Sequence, residues 1–433
     1  MPDNDGCLIF GAKPVVSPMM KIQWDDKLHR ELGWWLCVVL MAGLFFSRAL
    51  ISLSMISLVS VAVLNRNVAI NFSRFFKSPV LVLLTGLWVV VVVSGLWSAD
   101  NIPYWLERVR VKLPFLVLPF AFFSLPSFSE RRFRLLLWLF VGMILAGSVW
   151  SMGHLVTNYD QVVRGYSQAW VLPTPFEDHI RFSLSVAIAA LFCMYLFYAY
   201  RQSGSKLRYL AALCFVLLAV YLHILSVRTG LLALYLVLLL GIVRIIVVQK
   251  QWALGLLLLV LLAAMPFGAY HFIDSFHNKV DYFFYDFGQR NSTEVQHLSD
   301  SGRWVSWKLG IIAMKENPLL GVGAGNIMDA MNVLYARYYP AIPPENRLVP
   351  HNEFLLMGVA TGIPGLVYLL VTFISPLLDS RYRKHFYLLA FIAICGLGMM
   401  VEPMLEIQYG ICIYLFFLLL WMHHIGFSQK MPS

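Results

Sequence analysis

From residue 33 onward the chain alternates long apolar runs with short polar connectors. The runs fall at 33–47, 50–64, 79–97, 109–126, 133–151, 180–200, 207–225, 229–248, 252–271, 352–373, 386–401 and 408–425. A helix needs about 20 mostly apolar residues to cross a hydrocarbon core roughly 30 Å thick. The pattern predicts an all-α, polytopic membrane helix bundle of about 12 transmembrane helices. The first two runs are the shortest, with only "SRA" between them.

The rhythm is interrupted once, at 272–350, which is too long for a simple connector. This segment opens with mixed aromatic and polar residues, "HFIDSFHNKVDYFFYDFG". Then Trp304, Trp307, Ile311 and Met314 recur at helical spacing, and Pro318 ends the stretch. A glycine-rich turn follows, with a second helix in "NIMDAMNVLYARYYP". The expectation is a large periplasmic loop with two short amphipathic helices lying along the membrane and capping the bundle. Gly321, Gly323 and Gly325 are no nucleotide fingerprint, because no strand leads into them. They are expected to let the loop helices close over a substrate.

The predicted organisation is a cytoplasmic N-terminal segment 1–32, transmembrane helices 1–9 over 33–271, the periplasmic loop 272–350, transmembrane helices 10–12 over 351–426 and a cytoplasmic tail 427–433. The first 32 residues contain no apolar core of a signal peptide.

Composition agrees with a membrane protein: 60% of the 433 residues are hydrophobic, 13% are charged, and the mean hydropathy is +0.72. Five of the six cysteines, Cys37, Cys193, Cys214, Cys395 and Cys412, lie inside apolar runs and read as small buried hydrophobes; Cys7 does not. The net charge of +10 reflects topology rather than nucleic acid. With the N-terminus in the cytoplasm, nineteen of the 33 Lys and Arg fall in cytoplasmic segments and seven in short outer connections.

Several cations gather at the outer helix N-termini. Arg181 follows His179, Arg228 opens the eighth span, and Arg110 and Lys112 open the fourth. A helix N-terminus is already partly positive, so cations there are mildly unfavourable. An anion docking among them would remove the conflict, and phosphate suits both helix N-termini and guanidinium forks. Arg110 and Lys112 are equally explained by snorkelling to lipid phosphates. Arg303 begins the loop helix that folds over the bundle mouth. His351, between Pro350 and Asn352–Glu353, stands at the mouth of the tenth span. An imidazole there is a candidate general base. Glu402, in the outer turn before the last span, could orient His351 or the acceptor. Gly358, Gly362 and Gly365 read as helix-packing residues. No outward loop carries an Asp-x-Asp pair, and no His/Cys/Asp cluster has zinc spacing. No metal and no cofactor are expected, and arginines are left to stabilise charge.

Together these residues resemble a known family. His351–Asn352 followed by Gly362 and Gly365 is similar to the signature of bacterial O-antigen ligases of the WaaL type. "SGRW…NPLLGVGAGN" and "SVRTGLLAL" resemble segments of the wider O-antigen ligase/polymerase superfamily. The resemblance implies a metal-free membrane glycosyltransferase of the bacterial inner membrane with its active site facing the periplasm. It would move O-antigen polysaccharide from an undecaprenyl-pyrophosphate-linked donor to a sugar hydroxyl of a lipid A-core acceptor, inverting the anomeric centre. His351 would be the general base, with Arg303, Arg228 and Arg181 on the pyrophosphate. O-antigen polymerase, protein O-oligosaccharyltransferase and lipid-linked oligosaccharide flippase are the alternatives, the last not an enzyme.

Overall fold

The computed structural model describes residues 26–98, 101–168, 170–175, 178–289 and 299–428. Most of the expected 1–32 segment, with Cys7, and most of the 427–433 tail lie outside the described residues.

The helices run in the order α1 (Asp26–Phe46), α2 (Arg48–Val63), α3 (Val68–Phe75), α4 (Pro79–Val93), α5 (Ile102–Val111), α6 (Leu113–Ser124), α7 (Glu130–Thr157), α8 (Tyr159–Gly165) and α9 (His179–Gln202). They continue with α10 (Leu207–Leu225), α11 (Arg228–Val247), α12 (Trp252–Phe272), α13 (Asp274–Gln289), α14 (Ser299–Glu316), α15 (Ile327–Tyr338), α16 (Glu353–Leu378), α17 (Phe386–Val401) and α18 (Gln408–Ser428). The protein is an all-α, polytopic membrane bundle. Each of the twelve apolar runs coincides with a helix. Among the described residues, nine helices are long and apolar enough to cross a membrane. The other three runs give shorter helices: α2 and α17 with 16 residues each, and α6 with 12.

Three local features depart from expectation. The run at 109–126 is not one helix. The chain breaks at Lys112, whose φ of −86° and ψ of 0° end α5, and α6 restarts with Pro114 in its first turn. After α2 the chain turns by 107° into α3. The long segment holds three helices, not two, because "DSFHNKVDYFFYDFG" winds into α13.

α9 and α18 form the centre, each buried over 78% of its spanning residues. A helix that is apolar all round belongs inside a bundle. Ser183, Ser185, Ala187, Ala189 and Ala190 keep α9 slim, so neighbours approach closely. A Cβ on Gly230 of α11 would sit 2.6 Å from Ser183. All five cysteines in the described residues are buried free thiols, as expected.

α14 and α15 pack with the first half of α16 in a second, smaller core around Leu309, Met331 and Val359. On α14 the buried stripe is Val305, Leu309 and Ala313, while Trp304 and Ile311 face outward. The apolar face is thus rotated by one residue from the expected one. The glycine-rich turn is clamped rather than loose. Val322 N–H donates to Val359 O at 2.8 Å, Gly323 N–H to Ala360 O at 2.9 Å, and Gly325 N–H to Ser98 Oγ at 3.0 Å.

That clamp has a counterpart in α16. Gly362 has φ of 71° and ψ of −174°, which breaks the helix. Ile363 N–H turns aside to donate to Pro318 O at 2.8 Å, and a Cβ on Gly362 would lie 2.6 Å from the Leu319 carbonyl. Gly362 is therefore a backbone requirement, not an ordinary packing glycine. Before the break, residues 356–362 are buried; after it Ile363, Val367, Val371 and Ile374 are exposed.

Candidate functional site

Asn352 fixes the start of α16. Its Oδ1 accepts from Leu355 N–H at 2.9 Å as an N-cap, and its Nδ2 donates to Met400 O at 2.8 Å. The amide thereby binds the head of α16 to the tail of α17. His351, one residue earlier, is held by α14: Trp307 Nε1 donates to its carbonyl at 2.7 Å, and its N–H donates to Ser306 Oγ at 3.3 Å.

The turn between α17 and α18, "EPMLE", carries two inward carboxylates. Glu402 Oε2 lies 3.2 Å from His351 Nδ1. Its Oε1 is 3.5 Å from an Nη2 of Arg181, and its Oε2 is 4.0 Å from Nη2 of Arg303. Arg181 Nη2 also donates to Pro403 O at 3.1 Å. Burial raises the Glu402 carboxyl. The hydrogen bond from His351 and the charges of His351, Arg181 and Arg303 outweigh it and hold the group below its ordinary value. An ionised carboxylate only accepts, so Nδ1 of His351 is the donor, and in the neutral ring Nε2 keeps its lone pair.

Four of the residues expected from sequence thus converge: His351, Arg303, Arg181 and Glu402. His179 opens α9 beside them, and the charges of Arg303 and Glu402 act on it. Arg228 caps a different junction, with its guanidinium 4.5 Å over the Phe283 ring of α13. Arg110 is exposed on α5 and reaches a neighbouring cavity.

The crowding of cations at helix starts is relieved by nearby acids, one local and one distant in sequence. Asp178 caps α9 and accepts from Arg181 through both N–H (3.1 Å) and Nη1 (2.7 Å). Glu406 accepts from Lys112 and, at 3.1 Å, from Arg108. Burial raises Glu406, but the charges of Lys112 and Arg108 bring it below the ordinary carboxylate range. Glu353 Oε2 accepts from Leu405 N–H at 2.8 Å and so anchors the same turn. Asp178 before His179 was readable as an N-cap; Arg108, Glu353 and Glu406 carry no local signal.

A cavity of about 980 Å³ lies alongside. Its walls are apolar residues of α1, α2 and α6, and Arg108, Arg110, Arg181 and Glu406 stand at one side. His351, Arg303 and Glu402 do not line it; Arg181 and Pro403 link it to them. Among the described residues no group of three or more His, Cys, Asp and Glu converges as a metal cage.

Residues 213–370 match the family described as O-antigen ligase. The match spans 158 of the 433 residues, and that stretch is what resembles the family. The matched O-antigen ligase stretch runs from α10 into α16 and contains Arg228, Arg303, His351 and Gly362. Glu402 and Arg181 come from outside it. No curated protein matches the chain. Members of that family are membrane glycosyltransferase-like enzymes, ligases and polymerases alike.

Proposed function

We propose that this protein is an O-antigen ligase that joins polysaccharide from undecaprenyl pyrophosphate to a sugar hydroxyl of lipid A-core, at the periplasmic face of the bacterial inner membrane. The observation that carries the reading is the His351–Glu402 pair with Arg303 at its edge.

The acceptor hydroxyl gives its proton to Nε2 of His351, a contribution of about 10²–10⁴-fold. The acceptor oxygen attacks the anomeric carbon as the bond from that carbon to the diphosphate oxygen breaks. The leaving undecaprenyl pyrophosphate takes the bonding pair, and the configuration inverts. Glu402 holds the ring by Nδ1 and balances its charge once the proton is taken. Arg303, whose Nη2 lies 4.0 Å from Glu402 Oε2, meets the charge growing on the diphosphate. His179 stands at the rim, and Arg228 lies at a separate junction over Phe283. Arg181, bonded to Asp178 and Pro403, acts chiefly by holding the Glu402 turn. The apolar cavity between α1, α2 and α6 suits the carrier's hydrocarbon.

The test supplies purified enzyme with lipid-linked polysaccharide and lipid A-core as separate substrates. Transfer to core that disappears in His351→Ala supports the ligase. Lengthening of the carrier-linked chain, with core left bare, would assign a polymerase instead.

A further inference from the structure

We propose that the end of the bundle opposite His351 holds a binding site for the phosphodiester headgroup of an anionic phospholipid. At that end α9, α11, α17 and α18 enclose a cavity of about 280 Å³. Arg244, Lys384, His385 and His424 line it, with Trp421 and Tyr387, and no carboxylate is in its wall. Arg244 lies 5.1 Å over the Phe386 ring, and among the described residues neither Arg244 nor Lys384 meets an acid.

Charge bias alone explains basic residues at a membrane face. It does not explain why they converge on one enclosed space, nor the second observation. Trp421 is 3% exposed, lines the cavity, and its Nε1–H has no hydrogen-bond acceptor among the described residues. A buried donor without a partner is costly, which favours an acceptor at this wall. His424 Nε2 is taken up by Glu130 Oε2 at 3.2 Å; the wall thus offers an ammonium, a guanidinium, the His385 imidazole and an indole N–H, suited to the oxygens of one phosphate. Basic pockets between transmembrane helices recognise anionic headgroups in this way. The space holds a phosphate with its glycerol but not acyl chains. Leu239, Val243 and Val247 recur every four residues on the exposed face of α11 beside Arg244 and give those chains a path.

The experiment follows thermal unfolding of the full-length protein in neutral detergent with added phosphatidylglycerol, phosphatidylcholine or inorganic phosphate. Phosphatidylglycerol is expected to raise Tm by about 3–6 °C at saturation, and the other two to leave it unchanged. The Arg244→Gln/Lys384→Gln double variant should lose that shift, while Arg201→Gln/Lys206→Gln, at the same face but outside the cavity, should keep it. Should the double variant not fold, Lys384→Gln alone removes an exposed charge, and native mass spectrometry counts retained phosphatidylglycerol. An equal shift with phosphatidylcholine, an equal shift with free phosphate, or full lipid retention by Lys384→Gln would overturn the assignment. None of these readouts involves glycosyl transfer, so they stand apart from the function of the His351 site.

Discussion

Nδ1 of His351 and Oε2 of Glu402 stand 3.2 Å apart although 51 residues separate them. The pairing is enforced from both sides. Asn352 stitches the start of α16 to Met400, two residues before Glu402, while Glu353 anchors Leu405 three residues after it. Imidazole and carboxylate therefore meet through two independent ties.

Glu402→Gln keeps the side chain's shape but replaces the carboxylate by a neutral amide that no longer demands a proton on Nδ1. Transfer should fall by at least about tenfold, with Glu402→Asp intermediate. Steady-state kinetics with lipid-linked donor check this, alongside a Tm within a few degrees of wild type. Unchanged kcat in the glutamine variant would remove Glu402 from the mechanism.

Arg303 stands 4.0 Å from Glu402, and Arg181 is tied to Asp178 at 2.7 Å and to Glu402 at 3.5 Å. Arg303→Ala should lower transfer by about 10²–10³-fold, and Arg303→Lys should recover part of it, since an ammonium supplies charge without the fork. Arg181→Ala should instead cost stability as well as activity. Paired kinetic and thermal measurements separate the two outcomes.

Glu406 neutralises Lys112 and Arg108 where their side chains are only 7% and 12% exposed. Glu406→Gln would strand Lys112, while Arg108 keeps Glu107 at 2.7 Å, a loss of about 3–5 kcal/mol. Adding Lys112→Met to that variant should restore part of the loss. Denaturation in detergent reads both, and a double variant no better than the single one would contradict the pairing.

Glu402 and Glu406 are both held below their ordinary value of 4.5. Unfolded, they bind protons more readily than when folded, so the stability they contribute rises with pH up to about 4.5 and levels off above it. Tm should drop as pH falls below 4.5 through the depressed folded values. The Glu406→Gln variant should show a shallower acid limb than wild type in the same titration.

Gly362 has φ of 71° and backbone of Leu319 where a Cβ would go. Gly362→Ala should destabilise by about 1–3 kcal/mol or more. Gly426, where an added Cβ would meet nothing beyond its own helix within 4 Å, should accept alanine without loss.

The twelve apolar runs were legible because lipid asks the same thing of every spanning helix, whatever its neighbours. Helix interruptions were less so. Pro114 marks the break at Lys112, and the Gly362–Ile363–Pro364 triplet marks the one in α16, yet each lies within a continuous apolar stretch that masks it. α13 was obscured by its dense aromatic and charged composition, which reads as a loop. The buried face of α14 was misjudged because Trp304 and Ile311 keep helical spacing while facing outward. His351, Arg303, Arg181 and Glu402 were individually visible. What sequence could not supply was the set of opposite charges beside them: Glu406 lies nearly 300 residues from Lys112, and no periodicity links positions that distant.

The break at Gly362 also acts as a waterline. Exposed hydrocarbon on α16 begins at Ile363, and the nine helical residues before it lift His351 by about 13 Å at 1.5 Å per residue. On the proposed function, a long hydrophilic sugar chain would reach the imidazole without being dragged into oil, while a greasy tether stayed below. One positive φ would then set the altitude at which two incompatible halves of a single amphiphile are handled.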